Sequence, residues 1–266
     1  MAAARQTGAV TTEQHFACTA CGKCCTGWLP LTLDEAQAQA GRFPLAMVWT
    51  LVPQASRAFE LTVQLGTTVQ LARRQQVAVL IAPTLYLPPD FTCPALAPDN
   101  LCAIQAAKPL RCRSMPFYPY RREADQAAGL VPRTGWACNI STQAPLVYRQ
   151  GKILDRTDFD RERAALNAQA PILRAYADTT LKQYPEVMAR VLKGAQSPRQ
   201  HHLVLSFWSF LRHQRHDDPV GFARTQQPVL IDFAARTASL PKLAEYHQYY
   251  RESAAELAWF AARPNR

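Results

Sequence analysis

The sequence predicts an α+β fold: a cysteine-rich N-terminal part with a small antiparallel sheet, followed by an all-helical C-terminal part. Three observations predict it. All eight cysteines lie at or before Cys138, and none lies in the rest of the 266-residue chain. Between Phe59 and Leu87 apolar residues alternate or run together, as strands require. Beyond Cys138 apolar residues recur at helical spacing.

Taken in order, residues 1–15 hold little to bury and are expected to be flexible. Thr32 and Glu35 form a capping box for a short helix over residues 34–42. Met47–Val52 is expected to add a helical turn before Pro53. Phe59, Leu61, Val63 and Leu65 alternate, Gly66-Thr67 turns, Val69 and Leu71 alternate again, and Val77–Ile81 is an apolar run. About three antiparallel strands follow from this pattern, with a helix over 69–82 as the alternative. One or two helical turns are expected over Cys102–Ala107, and Pro116 and Pro119 are expected to hold 113–120 extended. Helices are then expected over Phe159–Gln169, from Pro171, and from Pro185, where Val187, Val191 and Leu192 face inward and Gly194 is the stop. A strongly apolar central helix is expected over His202–Gln214, and two more over Pro228–Ala238 and Lys242–Ala262. The organisation is a flexible segment 1–15, a cysteine domain 16–140 and a helical region 141–266 packed on it.

Hydrophobic residues make up 48% of the chain and charged ones 19%, which excludes wholesale disorder. The longest apolar run, 77–87, contains Pro83 and is too short to span a bilayer. Residues 1–17 carry no apolar signal core. A soluble, cytoplasmic protein of bacterial type is expected, and no membrane partner. The net charge is +10, carried mostly by arginine and spread over both halves. Such a balance suits nucleic acid, acidic partners or an anionic cofactor, or reflects a compositional preference for arginine.

The cysteines carry the chemistry. Dense cysteine in a chain without an export signal favours metal over disulfides. The first four read Cys18-Thr-Ala-Cys21-Gly-Lys-Cys24-Cys25. A C-x-x-C turn brings two thiolates to one metal, and a second in tandem brings a third. Gly22 leaves room for close backbone approach. Ferredoxins use C-x2-C-x2-C with a remote fourth cysteine, and zinc sites use paired C-x2-C knuckles. Adjacent side chains diverge, so either one of Cys24 and Cys25 serves a second centre or the two bridge a dinuclear one. With Cys93, Cys102, Cys112 and Cys138, eight thiolates suit two four-ligand sites. The N-terminal part is therefore expected to be metal-stapled, since thiolate–metal bonds can replace a missing core.

Thiolate sites are anionic and need cations nearby. Lys108, Arg111, Arg113, Arg121 and Arg122 crowd one acid-free stretch, and Arg111 and Arg113 flank Cys112. Lys108, Arg111 and Arg113 are the candidates for compensating the cluster or capturing an anion, against a solvated basic face. Phe117, Tyr118 and Tyr120 are expected to pack over the cluster rather than stack on a ligand. His201, His202, His213 and His216 with Asp217 and Asp218 could form a second metal site, although helix-end histidines are the plainer reading. His15 could ligate or hydrogen-bond a sulfur.

The stretch Phe16-Ala-Cys18-Thr-Ala-Cys21-Gly-Lys-Cys24-Cys25 resembles the signature of the YkgJ-type CxxCxxCC cysteine-cluster family, described as zinc- or iron-chelating. A second block agrees with it: Cys93-Pro94-Ala-Leu96, Cys102-Ala-Ile104, and Lys108-Pro109-Leu-Arg111-Cys112-Arg113-Ser-Met-Pro116-Phe117. The resemblance covers about residues 16–140 and all eight cysteines. The chain departs from the family pattern at Ala95, Gln105 and Lys108, none of them a cysteine. Cys24-Cys25-Thr26-Gly27-Trp28 is also distantly similar to the flagellin lysine N-methylases, which implies an iron–sulfur cluster and a link to S-adenosylmethionine.

Enzyme signatures are missing. There is no G-x-G-x-x-G, Walker A, G-x-S-x-G or H-E-x-x-H, and the radical S-adenosylmethionine spacing C-x3-C-x2-C is absent. The expectation is a cysteine-cluster protein with iron–sulfur centres, in electron transfer or as a protein-modification enzyme. The alternatives are a zinc-stapled binding module and a metal storage or delivery protein. The partner is an unknown protein or a small anion, and nucleic acid is not expected.

Overall fold

The computed structural model describes residues 13–72, 74–197, 201–214 and 218–263. Its centre is an antiparallel sheet built on two buried strands, β3 (Leu45–Pro53) and β5 (Gln75–Leu85), paired along their length from Leu45↔Leu85 to Pro53↔Val77. Beyond β5 lie β2 (Leu29–Pro30) at one end and β4 (Thr67–Ala72) at the other. Beyond β3 lies β8 (His202–Ser206), paired from Ala46↔Ser206 to Thr50↔His202. The strand order is β2-β5-β3-β8, with β4 on β5.

The chain is thus α+β with antiparallel sheets, as the pattern predicts, but several elements differ. Met47–Val52 is the interior of β3 and not a helical turn. Leu45, Ala46, Met47 and Trp49 are at most 1% exposed, so the segment is apolar on both faces and periodicity alone cannot tell it from a helix. Phe59–Leu65 is helix α2 and not a strand. Its buried residues are Leu61, Thr62 and Leu65, a helical stripe that meets Leu166. Helix α1 (Leu33–Ala38) starts at the expected capping box, with Thr32 Oγ1 accepting from Glu35 N–H and Glu35 Oε2 from Thr32 N–H. The turn expected before Pro109 is a 3-10 turn, Gln105–Ala107, followed by the one-turn helix α3 (Leu110–Arg113). Residues 113–120 turn twice, with Phe117 N–H on Ser114 O and Arg121 N–H on Tyr118 O, because Pro116 and Pro119 occupy turn positions.

The C-terminal part is not all-helical. Strands β6 (Leu146–Arg149) and β7 (Lys152–Ile153) form a second sheet with β1 (Glu13–His15). Gln150 and Gly151, both at positive φ, make their two-residue hairpin. The end of the segment expected to be flexible is therefore a strand; residues 1–12 lie outside the described residues. His202–Gln214 divides into β8 and helix α6 (Phe207–Gln214). The division follows from β3, whose buried backbone needs partners on the side away from β5.

Helix α4 (Thr157–Gln183) passes through Pro171, where a second helix was expected to begin, and α7 (Pro219–Thr237) starts nine residues before Pro228, its expected start, and passes through it. Each proline removes one intrahelical bond, but buried residues on both sides hold the helix together: Leu166 and Ala170 before Pro171, Leu173 after it. Helix α5 (Pro185–Ala195) buries Val187 and Val191 as predicted, and α8 (Ala244–Ala261) pairs with α7. These last two helices are bonded to the sheet. Gln226 on α7 bonds Leu45 N–H and Phe43 O, and the Tyr249 hydroxyl donates to Leu45 O at 2.7 Å and that of Tyr250 to Tyr86 O at 2.6 Å. The main core consequently runs from Leu31 to Leu257.

Candidate functional site

The cysteines sit on loops that three isolated β-bridges draw together. The bridge Ala17↔Asn139 has hydrogen bonds of 2.8 and 3.0 Å and sets Cys18 beside Cys138. The bridge Thr26↔Thr92, with Cys93 N–H on Cys25 O at 2.8 Å, sets Cys25 beside Cys93. The bridge Leu96↔Cys102 closes a small hairpin that returns Cys102 toward Cys93. Cys112 lies on α3, whose first N–H, that of Leu110, donates to Glu35 Oε1 at 2.7 Å. The glutamate that caps α1 therefore also anchors the Cys112 turn.

Between the bridges the chain is tightly bent. Ala20, Gly22 and Gly27 have φ of 53°, 70° and 68°. Gly22 is required on a second count, since a Cβ there would stand 2.9 Å from Asn100 Oδ1 and 3.2 Å from Leu96 Cδ2. Its close neighbour is thus the 96–100 loop.

The thiols influence one another in two neighbourhoods. Cys138 is pushed above its usual value by burial and then by the charges of Cys21, Cys18 and Cys24. Cys21 is lowered by backbone hydrogen bonds from Ala137 and Lys23. In the other neighbourhood burial raises Cys93, to which Cys102 and Cys24 add, and pushes Cys112 up to about 12, to which Cys93 and Cys24 add. Cys25 hydrogen-bonds Cys24, which holds Cys24 down to about 6 and raises Cys25, and Cys25 also feels Cys93 and Cys112. So Cys18, Cys21 and Cys138 form one neighbourhood, Cys25, Cys93, Cys102 and Cys112 the other, and Cys24 is felt in both.

All eight cysteines are free thiols. In donor chemistry and number they suit two thiolate centres. Their side chains do not form a closed ligand set, because among the described residues no three His, Cys, Asp or Glu groups converge closely enough to hold an ion.

The three basic candidates have different roles. Lys108 lowers both Cys24 and Cys112. Arg111 also lowers Cys112, but it is only 4% exposed, and it pairs with Glu162 on α4 at 3.4 Å and donates to Phe117 O. Its cation lies 4.7 Å from the Tyr118 ring centre. Arg113 donates to Lys108 O and Ala106 O and so secures the preceding 3-10 turn. Phe117 packs with Tyr148, Ile153 and Phe159, and Tyr120 with Leu61, Leu65 and Leu166, in small apolar clusters that contain no cysteine, and not over the cysteine cluster as expected.

Among the described residues the histidines do not assemble. His15 Nδ1 donates to Ala144 O at 2.6 Å from its place on β1, which uses that nitrogen for the backbone rather than a sulfur. His202 bonds Thr50 Oγ1, His213 lies against Tyr176, and Asp218 caps α7 through Gly221 N–H. His216 and Asp217 lie outside the described residues. Two participants escape sequence reading, Glu35 in its second bond and Glu162. The only signal for Glu162 is a charged residue on the helix face that carries Phe159 and Leu166.

The chain matches no family model, no curated protein and no solved structure.

Proposed function

We propose that this chain is a metal-binding cysteine-cluster protein whose eight cysteines ligate iron–sulfur centres, serving electron transfer or protein modification. The observation that supports the reading is that backbone bridges bring eight free thiols from four separated stretches of chain close enough to shift one another's titration. Cys18, Cys21 and Cys138, with Cys24, would hold one centre, and Cys25, Cys93, Cys102 and Cys112 the other. Bound clusters would supply one-electron chemistry. The residues of this chain would supply the rest: Lys108 balances thiolate charge, Glu35 holds the Cys112 turn, and the Arg111–Glu162 pair ties that turn to α4.

A zinc staple is the second reading. Cys93 and Cys102 pack against the main core while their loops carry little regular structure, which is where a structural metal contributes most. Iron, acid-labile sulfide and zinc analysis of the protein purified without oxygen separates the two. Iron with sulfide and a broad visible band supports the first reading, and colourless protein with about one or two zinc ions per chain supports the second. Cys21→Ser is expected to remove about half of the metal if two centres are present. Metal-free protein, or unchanged metal in both Cys21→Ser and Cys93→Ser, refutes both.

A further inference from the structure

A groove of about 710 Å³ lies between the end of α1, Pro94 and one face of α7. Its volume is in the range of about 300–1,000 Å³ typical of sites for small organic ligands. Pro94, Pro228 and Phe233 give it apolar walls, and Arg42, Asp232 and Arg236 give it charge.

The two arginines differ. Arg236 is set in place: it pairs with Asp232 one turn earlier at 3.4 Å and lies 4.4 Å from the ring centre of Phe233 and 5.2 Å from that of Phe91. Asp232 answers its charge. Arg42 is exposed, and among the described residues its guanidinium makes no ion pair or hydrogen bond. One cation without an ion pair therefore stands at the groove, near enough to Cys93 to lower that thiol, beside a second guanidinium held by rings and an apolar wall. A guanidinium in such a setting takes a phosphate or carboxylate through paired N–H donors, and the wall covers whatever apolar body that group carries.

We propose that this groove binds a small organic anion, a phosphate or carboxylate on an apolar body, with Arg42 as its anchor. Arg42 also lowers the Cys93 thiol, so the groove and that thiol share one cation. The groove wall includes Pro94, next to Cys93, so an occupant touches the loop that carries that thiol.

Calorimetric titration of the full chain with phenyl phosphate and with benzoate tests the proposal, with inorganic phosphate as the control for the anion alone. The expected result is saturable one-to-one binding of at least one organic anion, tighter than that of inorganic phosphate. Arg42→Gln, a change at an exposed side chain, should weaken it about tenfold, the loss of roughly one charge-assisted bond, while Arg190→Gln on α5 leaves it unchanged. The better of the two compounds identifies the head group. No binding of either compound, equal binding of inorganic phosphate, or wild-type affinity in Arg42→Gln overturns the proposal.

Discussion

Arg111 and Glu162 bury opposite charges against each other, and this pairing decides what Arg111 does. A guanidinium that captures a diffusing anion needs free, solvated donors. Those of Arg111 are buried: Nη2 donates to the Phe117 carbonyl, Nη1 is ion-paired with Glu162 without a hydrogen bond, and Nε has no partner, in a site where losing Glu162 would strand the charge. Its place beside Cys112 is structural, and Lys108 is the cation felt by both Cys24 and Cys112. Glu123 makes a comparable tie at the second sheet, accepting from Ile153 N–H at 2.8 Å and pairing with Arg156 at 2.5 Å. Burial raises its carboxyl, but these two donors together outweigh burial and hold it below the usual 4.5. A depressed carboxylate contributes stability that is full above its unfolded value and lost as pH falls through its folded one. Glu123→Gln should therefore cost about 1 kcal/mol at pH 7, and its gap to wild type should close as pH falls below about 4. Urea titrations at several pH values check this, and a gap that is constant with pH removes the assignment.

At the scale of elements, local pattern succeeded where a signal is short-range and chemical. The Thr32–Glu35 capping box and the proline starting α5 are of that kind, since cap and start lie within one turn. It failed where the partner is distant. The alternation of Phe59 to Leu65 reads as a strand, but α4 offers a surface that a helical stripe fits. His202–Ser206 continues into α6 by composition, but β3 has an edge to be paired. Gly66 ends α2 under a comparable constraint. A Cβ there would stand 2.0 Å from the carbonyl oxygen of Val79 on β5, and backbone cannot yield as a side chain can. Gly66→Ala is expected to destabilise the protein by about 1–3 kcal/mol. A urea midpoint equal to that of wild type would show that the junction of α2 and β5 is looser than its geometry.

At the scale of the molecule, a boundary at residue 140 would cut through one core. β8 pairs with β3, α7 and α8 are bonded to residues 43–45 and 86, and one apolar cluster extends from Leu31 to Leu257. A fragment ending at residue 140 keeps β5 but loses β8, the other partner of β3, and with it the helices that cover Leu45, Met47 and Trp49. It is expected not to fold on its own, even with metal and reductant present, as read by circular dichroism and thermal melting. A cooperative transition in that fragment would restore an independent cysteine domain.

The sequence by itself determined the class of the fold, the starts of α1 and α5 and the identity of the eight thiols, because each is written in composition or in residues a turn apart. Neighbouring side chains are expected to diverge, but Cys24 and Cys25 hydrogen-bond each other, so their thiols lie together. Only the tertiary structure decided which thiols meet, for the bridges Ala17↔Asn139 and Thr26↔Thr92 join segments with no local signal for each other. It likewise turned Arg111 toward Glu162 and made β8 part of the sheet. In each case the deciding quantity is the burial of a backbone or a charge that must find a partner, and the partner is far away in the chain.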